Sequence, residues 1–168
     1  MASSDHAGVG FADLREAYLM LRDRTQTAAE AVLNARQLIT NIFTCGQDID
    51  GIHAVTVGRK LEFYEYRLKK YAASAGLWML SESLPIDTES RWRVTSHQPQ
   101  REELRDLAEL LPSIDEDLSS LHAYLKGPKA APDFQPWILL AGRVEDALRQ
   151  VQLSVQILRE LDQYMKSM

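Results

Sequence analysis

Apolar residues recur along this chain in four long stripes, each advancing by alternating steps of three and four. The first is Phe11, Leu14, Tyr18, Leu21, Thr25, Ala28, Val32, Ala35, Ile39 and Ile42. The second is Ala54, Val57, Leu61, Tyr64, Leu68, Tyr71, Ala75 and Trp78. The third is Leu104, Leu107, Leu111, Ile114, Leu118, Leu121 and Leu125. The fourth is Trp137, Leu140, Val144, Ala147, Val151, Ser154, Leu158, Leu161 and Met165. Such steps average about 3.5 residues, the period that keeps one helix face against a partner in a left-handed bundle. No segment alternates as a strand would. The pattern predicts an all-α fold, an antiparallel four-helix bundle of long, coiled-coil-like helices.

The breakers between the stripes agree. Cys45-Gly46 and Asp50-Gly51 mark a tight connection after the first helix. The second helix is expected to stop near Leu84-Pro85, and the third at Lys126-Gly127-Pro128. Asp133 is placed to cap the fourth helix, with Pro136 in its first turn. Short connections make neighbouring helices antiparallel. With a tight first turn, Ala35 meets Leu61, Val32 meets Tyr64, Ala28 meets Leu68, Thr25 meets Tyr71 and Leu21 meets Ala75. Small residues then face large ones, as close packing requires.

Two places depart from this regularity. Pro112 interrupts the third stripe, and Ser113-x-x-Glu116 has the form of a capping box. The third helix is therefore expected to be kinked or broken near Pro112. Residues 85–100, PIDTESRWRVTSHQPQ, carry no stripe and are expected to form a long surface connection. Residues 1–9 are read as a flexible N-terminus and 10–168 as a single helical-bundle domain.

Composition narrows the function classes. Of 168 residues, 45% are hydrophobic and 26% charged, which supports a real core. The net charge of −5 argues against broad electrostatic binding of duplex nucleic acid. Cys45 is the single cysteine, so no internal disulfide forms. The first residues lack the basic and apolar regions of a signal peptide, and the apolar runs are too short to span a membrane. The expectation is a cytoplasmic protein without membrane contact.

Candidate chemistry is sparse. None of His6, His53, His97 and His122 follows a Glu by three residues, so the Glu-x-x-His pattern of di-iron bundles is absent. Asp48, Asp50 and His53 are read as turn residues rather than metal ligands. No Gly-rich phosphate loop, nucleophile elbow or zinc-spaced Cys/His set occurs. Cys45 lies near a helix C-terminus, where the dipole disfavours a thiolate. No catalytic residue, metal or cofactor is assigned.

Two local resemblances define an enzymatic alternative. His122 in HAYLKG resembles the His-x-Leu-Lys-Gly pattern of histidine phosphotransfer domains, with Leu125 and Lys126 one residue late. The resemblance implies an exposed imidazole that accepts a phosphoryl group. Arg91 and His97 resemble the Arg-x4–6-His spacing of HEPN-type RNases, which implies a ribonuclease cleft.

The surface positions say more. If Leu61 and Tyr64 face inward, Arg59, Phe63, Tyr66 and Lys70 form one outward line, with Arg67 and Lys69 beside it. Aromatic and Arg side chains are common interface anchors. The same mixture could stack bases and hold phosphates, a nucleic-acid or nucleotide alternative. Trp92 is expected either to cover Phe63 and Tyr66 or to join them.

The third helix is acidic, with Glu102, Glu103, Asp106, Glu109, Asp115, Glu116 and Asp117. The fourth carries more apolar surface than a bundle helix needs: Leu148, Val155 and Ile157, then Leu139 and Leu153. That surplus implies a central helix or a homodimer through it. The expected function is a non-enzymatic protein–protein interaction module, an adaptor or assembly subunit, with Arg59, Phe63, Tyr66, Arg67, Lys70 and Trp92 contacting a protein partner.

Overall fold

The computed structural model describes residues 10–44, 54–81, 98–126 and 135–167. They form four helices, α1 (Leu14–Thr44), α2 (Ala54–Ser81), α3 (Gln98–Lys126) and α4 (Gln135–Lys166), with no strand among the described residues. The helices hold 31, 28, 29 and 32 residues, so each is roughly 42–48 Å long. The protein is an all-α four-helix fold whose packing is that of a bundle.

α1 starts where side chains take up its unpaired N–H groups. The Asp13 carboxylate accepts the Glu16 N–H at 2.8 Å, and Glu16 reaches back to accept the Ala12 N–H at 3.3 Å. Asp13 thus caps the helix, while Glu16 takes the N–H one residue before the cap, a variant of the capping box. Phe11 therefore lies just outside the helix. Its ring meets that of Tyr164 edge-on at 5.9 Å, tying the start of α1 to the end of α4.

The stripes meet in one core. Tyr18, Leu21, Val32, Leu61, Leu68, Leu107, Leu111, Ile114, Leu118, Leu140 and Leu161 are all completely or almost completely buried. Two uncharged polar residues among those described share this core. The Thr25 hydroxyl donates to the Leu21 carbonyl at 2.6 Å. The Ser154 hydroxyl lies 3.0 Å from the Gln150 carbonyl and 3.2 Å from the Arg24 carbonyl, the latter on α1. Each buried hydroxyl thus keeps an acceptor, which removes most of the cost of burying it.

The helices are not equally engaged. α1 packs along both α2 and α4, and α3 packs on α4, whereas α2 and α3 barely touch. The α1–α2 seam joins Tyr18 to Trp78, with ring centroids 5.6 Å apart, and Arg36 to Glu65 at 3.2 Å. α1 offers buried alanines, Ala28, Ala29, Ala31 and Ala35, where α2 offers Leu61, Tyr64 and Leu68. All members of the expected α1–α2 pairs are buried.

The breadth of α4 follows from its position. It contacts α1 on one side and α3 on another, so it needs two apolar flanks. Ile157 is buried, and Leu148 and Val155 pack against the core. This breadth is used inside the bundle, so it gives no support to a homodimer through α4. Only Ile138 and Leu139, at the start of the helix, are large apolar α4 residues counted as exposed among those described.

Two local expectations need correction, and a third is narrowed. α3 begins at Gln98, so residues 98–100 belong to it and not to the connection. Pro99 is tolerated there because a helix's first turn has N–H groups to spare. That turn contributes nothing apolar to the stripe, which is why periodicity missed it. Of the two forms expected at Pro112, the break is absent: α3 runs through Pro112 as one helix. Pro112 and Ala108 are exposed, so the carbonyl that Pro112 deprives of a donor can be hydrated. Finally, Ser113 is not a cap: its hydroxyl lies 3.5 Å from the Glu109 carbonyl, one turn back in the same helix.

Residues 1–9, the first turn with Cys45, Asp48, Asp50 and His53, and Arg91, Trp92, Asp133 and His97 all lie outside the described residues. α2 is described to Ser81, and Pro136 sits in the first turn of α4. No helix among the described residues is long and apolar enough to cross a membrane.

Candidate functional site

α2 has two heptad faces. The inner one places Leu61, Tyr64, Leu68, Tyr71 and Ala75 in the core. The outer one repeats the same steps on the opposite side: Arg59, Phe63, Tyr66, Lys70, Ala73, Leu77 and Leu80. Every member of this outer line is exposed. Phe63 is 50% and Tyr66 67% exposed, so neither ring contributes much to the core. Of the large apolar residues exposed among those described, Phe63, Tyr66, Leu77 and Leu80 all fall on it.

The outward placement of Arg59, Phe63, Tyr66 and Lys70 follows directly from the inward stripe. The extension through Ala73 to Leu77 and Leu80 was also readable, since the step of three and four continues past Lys70.

Arg67 is set apart from the other cations. It is half-buried, and its guanidinium carbon lies 5.5 Å from the centre of the Phe63 ring and 5.3 Å from that of Tyr71. Its Nη2 donates to the Tyr71 hydroxyl, while its Nε is buried without a hydrogen-bond partner. Arg67 therefore bridges the core ring of Tyr71 and the surface ring of Phe63. Cation–π attraction of this kind is worth about 0.5–2 kcal/mol. It steadies Phe63 while leaving the side chain half exposed.

The remaining charges are partly neutralised. Lys69 reaches Glu65 at 2.7 Å, and Arg36 of α1 reaches the other oxygen of the same carboxylate. Burial pushes the Glu65 pKa up, but hydrogen bonds from Lys69 and Arg36 outweigh it and hold the group below its usual value. Lys60 lies 3.7 Å from Asp117 of α3, and the Tyr64 hydroxyl donates to the same carboxylate. Among the described residues, Arg59 and Lys70 make no ion pair. The outer line thus presents two uncommitted cations on either side of Phe63 and Tyr66.

Next to this face, α2 and α3 leave a crevice of about 350 Å³, lined by Val57, Lys60, Tyr64, Asp117, Leu121 and Tyr124 among others. Here Lys60 and Asp117 pair the basic α2 with the acidic α3. Glu102, Asp106, Glu109 and Glu116 remain exposed.

His122 is half-buried on α3. Its Nε2 is buried 3.5 Å from a Glu145 carboxylate oxygen, without a hydrogen bond. A phosphoryl acceptor needs an open nitrogen and a nearby cation. This nitrogen has a carboxylate instead. No group of three or more His, Cys, Asp or Glu among the described residues is arranged to hold a metal ion.

No known family, curated protein or solved structure matches this chain. The class that the fold defines is an all-α four-helix protein.

Proposed function

We propose that the protein is a non-enzymatic interaction module, an adaptor or assembly subunit, whose outer α2 face docks a protein partner. The observation that carries this reading is the exposed heptad line from Arg59 to Leu80, with Phe63 and Tyr66 at its centre. An aromatic held outward by an arginine is a low-entropy anchor, and burying a ring of this kind contributes about 1.5–3 kcal/mol. Arg59 and Lys70 favour an acidic complement. Trp92 belongs to the same proposed contact set. The nucleic-acid alternative is weaker because Arg67, Lys69 and Lys60 already have partners. We place the protein in the cytoplasm.

The bundle is antiparallel in this reading. Tyr18 pairs with Trp78 whereas Arg36 pairs with Glu65, so numbers rise on α1 as they fall on α2. Phe11 with Tyr164 and Arg24 with Ser154 support the same relation between α1 and α4. Pro112 bends α3 without ending it.

The test replaces both rings, as Phe63→Ala with Tyr66→Ala. A docking face tolerates this with an unfolding free energy within about 1 kcal/mol of wild type, because surface substitutions cost little. Partner capture is lost. A large loss of stability would assign the rings to the fold instead.

A further inference from the structure

A second cavity lies away from the outer face of α2. The first half of α3 and the last half of α4 leave a groove of about 770 Å³ between them. Its floor is apolar, built from Leu104, Val155, Leu158 and Met165. Its rims are cationic. Arg101 and Arg105 stand on α3, and Arg159 stands on α4. Lys166 is also there, but it is paired with Asp162 at 3.0 Å.

Arg101, Arg105 and Arg159 are exposed and have no ion pair among the described residues. Three uncommitted arginines around one apolar floor run against a chain whose net charge is −5. Guanidinium groups favour carboxylates, which they can hold with two parallel hydrogen bonds.

The shape narrows the occupant. The α3 wall runs from Arg101 to Pro112 and the α4 wall from Val155 to Lys166. Each wall is about three helical turns, or roughly 16 Å. One rim is low, because Ala108 and Pro112 are small or compact and both are exposed. Pro112 also removes the N–H that would bind the Ala108 carbonyl, leaving an acceptor at the groove's edge. An apolar trough between two helices, open along one side, is the shape into which an amphipathic helix packs.

We propose that the α3–α4 groove receives a short acidic amphipathic helix of a partner protein. Its apolar face covers Leu104, Val155, Leu158 and Met165. Carboxylates on its flanks meet Arg101 and Arg105 on one side and Arg159 on the other. The inference rests on the interaction-module reading but uses a different face from the α2 line.

The probe is a fluorescein-labelled peptide of about 14 residues, with Leu at positions i, i+3, i+4 and i+7 and Glu on the flanks. An analogue carries Lys in place of Glu. Fluorescence anisotropy is measured with wild type, with Ala108→Trp, which fills the groove, and with Arg101→Glu, Arg105→Glu and Arg159→Glu combined. Circular dichroism checks that each variant is folded. The acidic peptide binds wild type saturably, and its affinity falls about tenfold or more in both variants. The Lys analogue does not bind. Phe63→Ala with Tyr66→Ala leaves binding unchanged.

Absence of saturable binding by the Glu peptide would overturn the proposal. So would equal binding of the Lys analogue, or undiminished binding by Ala108→Trp. Saturable binding of dodecanoate in place of the peptide would reassign the groove to a small amphiphile. If the peptide fails while partner capture through Phe63 and Tyr66 succeeds, the module reading stands and the groove assignment falls.

Discussion

The Tyr64 hydroxyl donates a hydrogen bond to the Asp117 carboxylate, which also lies 3.7 Å from Lys60. This contact crosses the seam where α2 and α3 barely touch. With so little packing between these two helices, polar groups form the clasp.

Removing the clasp should be measurable. Tyr64→Phe keeps the ring in the core but leaves Asp117 without its phenol donor. The expected loss is about 1–2 kcal/mol in urea unfolding at neutral pH. The pH dependence has a defined sign. Burial first, then the bond to Asp117 and the charges of Asp117 and Glu116, push the Tyr64 pKa upward. The native state therefore holds this proton more tightly than the unfolded chain does. Its contribution is complete below the unfolded value of about 10 and is lost as pH rises beyond it toward the raised folded value. The gap between wild type and Tyr64→Phe should close on that side. A gap that stays constant into strong alkali would contradict this.

Glu65 makes the opposite prediction. It is buried between Lys69 and Arg36, and its pKa is depressed. Stability from this group is complete above the unfolded value of about 4.3 and is lost as pH falls through the lower folded value. Glu65→Gln should cost about 1–3 kcal/mol at pH 7, since two cations lose a charged acceptor. Wild type and variant should converge as the pH falls below the depressed folded value. Parallel acid-unfolding curves would show that the pair contributes nothing.

Pro112 provides a stabilising substitution. Pro112→Ala restores the N–H that the Ala108 carbonyl lacks and removes a helix-interior proline worth up to about 3 kcal/mol. The site is exposed, so no core repacking opposes the gain. The melting temperature should rise. A fall would mean that Pro112 is needed to seat α3 on α4.

Gly142 is a smaller case of the same kind. It lies inside α4, and a Cβ added there meets nothing within 4 Å. Gly142→Ala should stabilise by about 0.5–1 kcal/mol in chemical unfolding. Destabilisation would imply that the position is occupied by something not packed there in the isolated chain.

The sequence was most informative where one residue set answers to one neighbour. The stripes through Leu21, Leu68, Ile114 and Leu161 record a repeated burial against a facing helix, so their period is visible without coordinates. The outward placement of Phe63 and Tyr66 is the same information read from the other side. Ile157 looked superfluous because a single stripe cannot represent a helix that packs on two neighbours. Ser113 looked like a cap because its hydroxyl can bond forwards or back along the helix. The α3–α4 groove was invisible because Arg105 and Arg159 are far apart in sequence and meet only through packing. The weakness of the α2–α3 seam depends on the spacing of helix axes, which no pattern of residue types encodes.

The most direct measurement of the docking claim is quantitative co-purification from the native source, comparing tagged wild type with Phe63→Ala plus Tyr66→Ala. Mass spectrometry measures each captured protein, and thermal unfolding is recorded on the same preparations. The account predicts a specific partner depleted about tenfold or more by the double variant, while the two melting curves nearly coincide. Equal capture of the same proteins by two equally stable forms would contradict it.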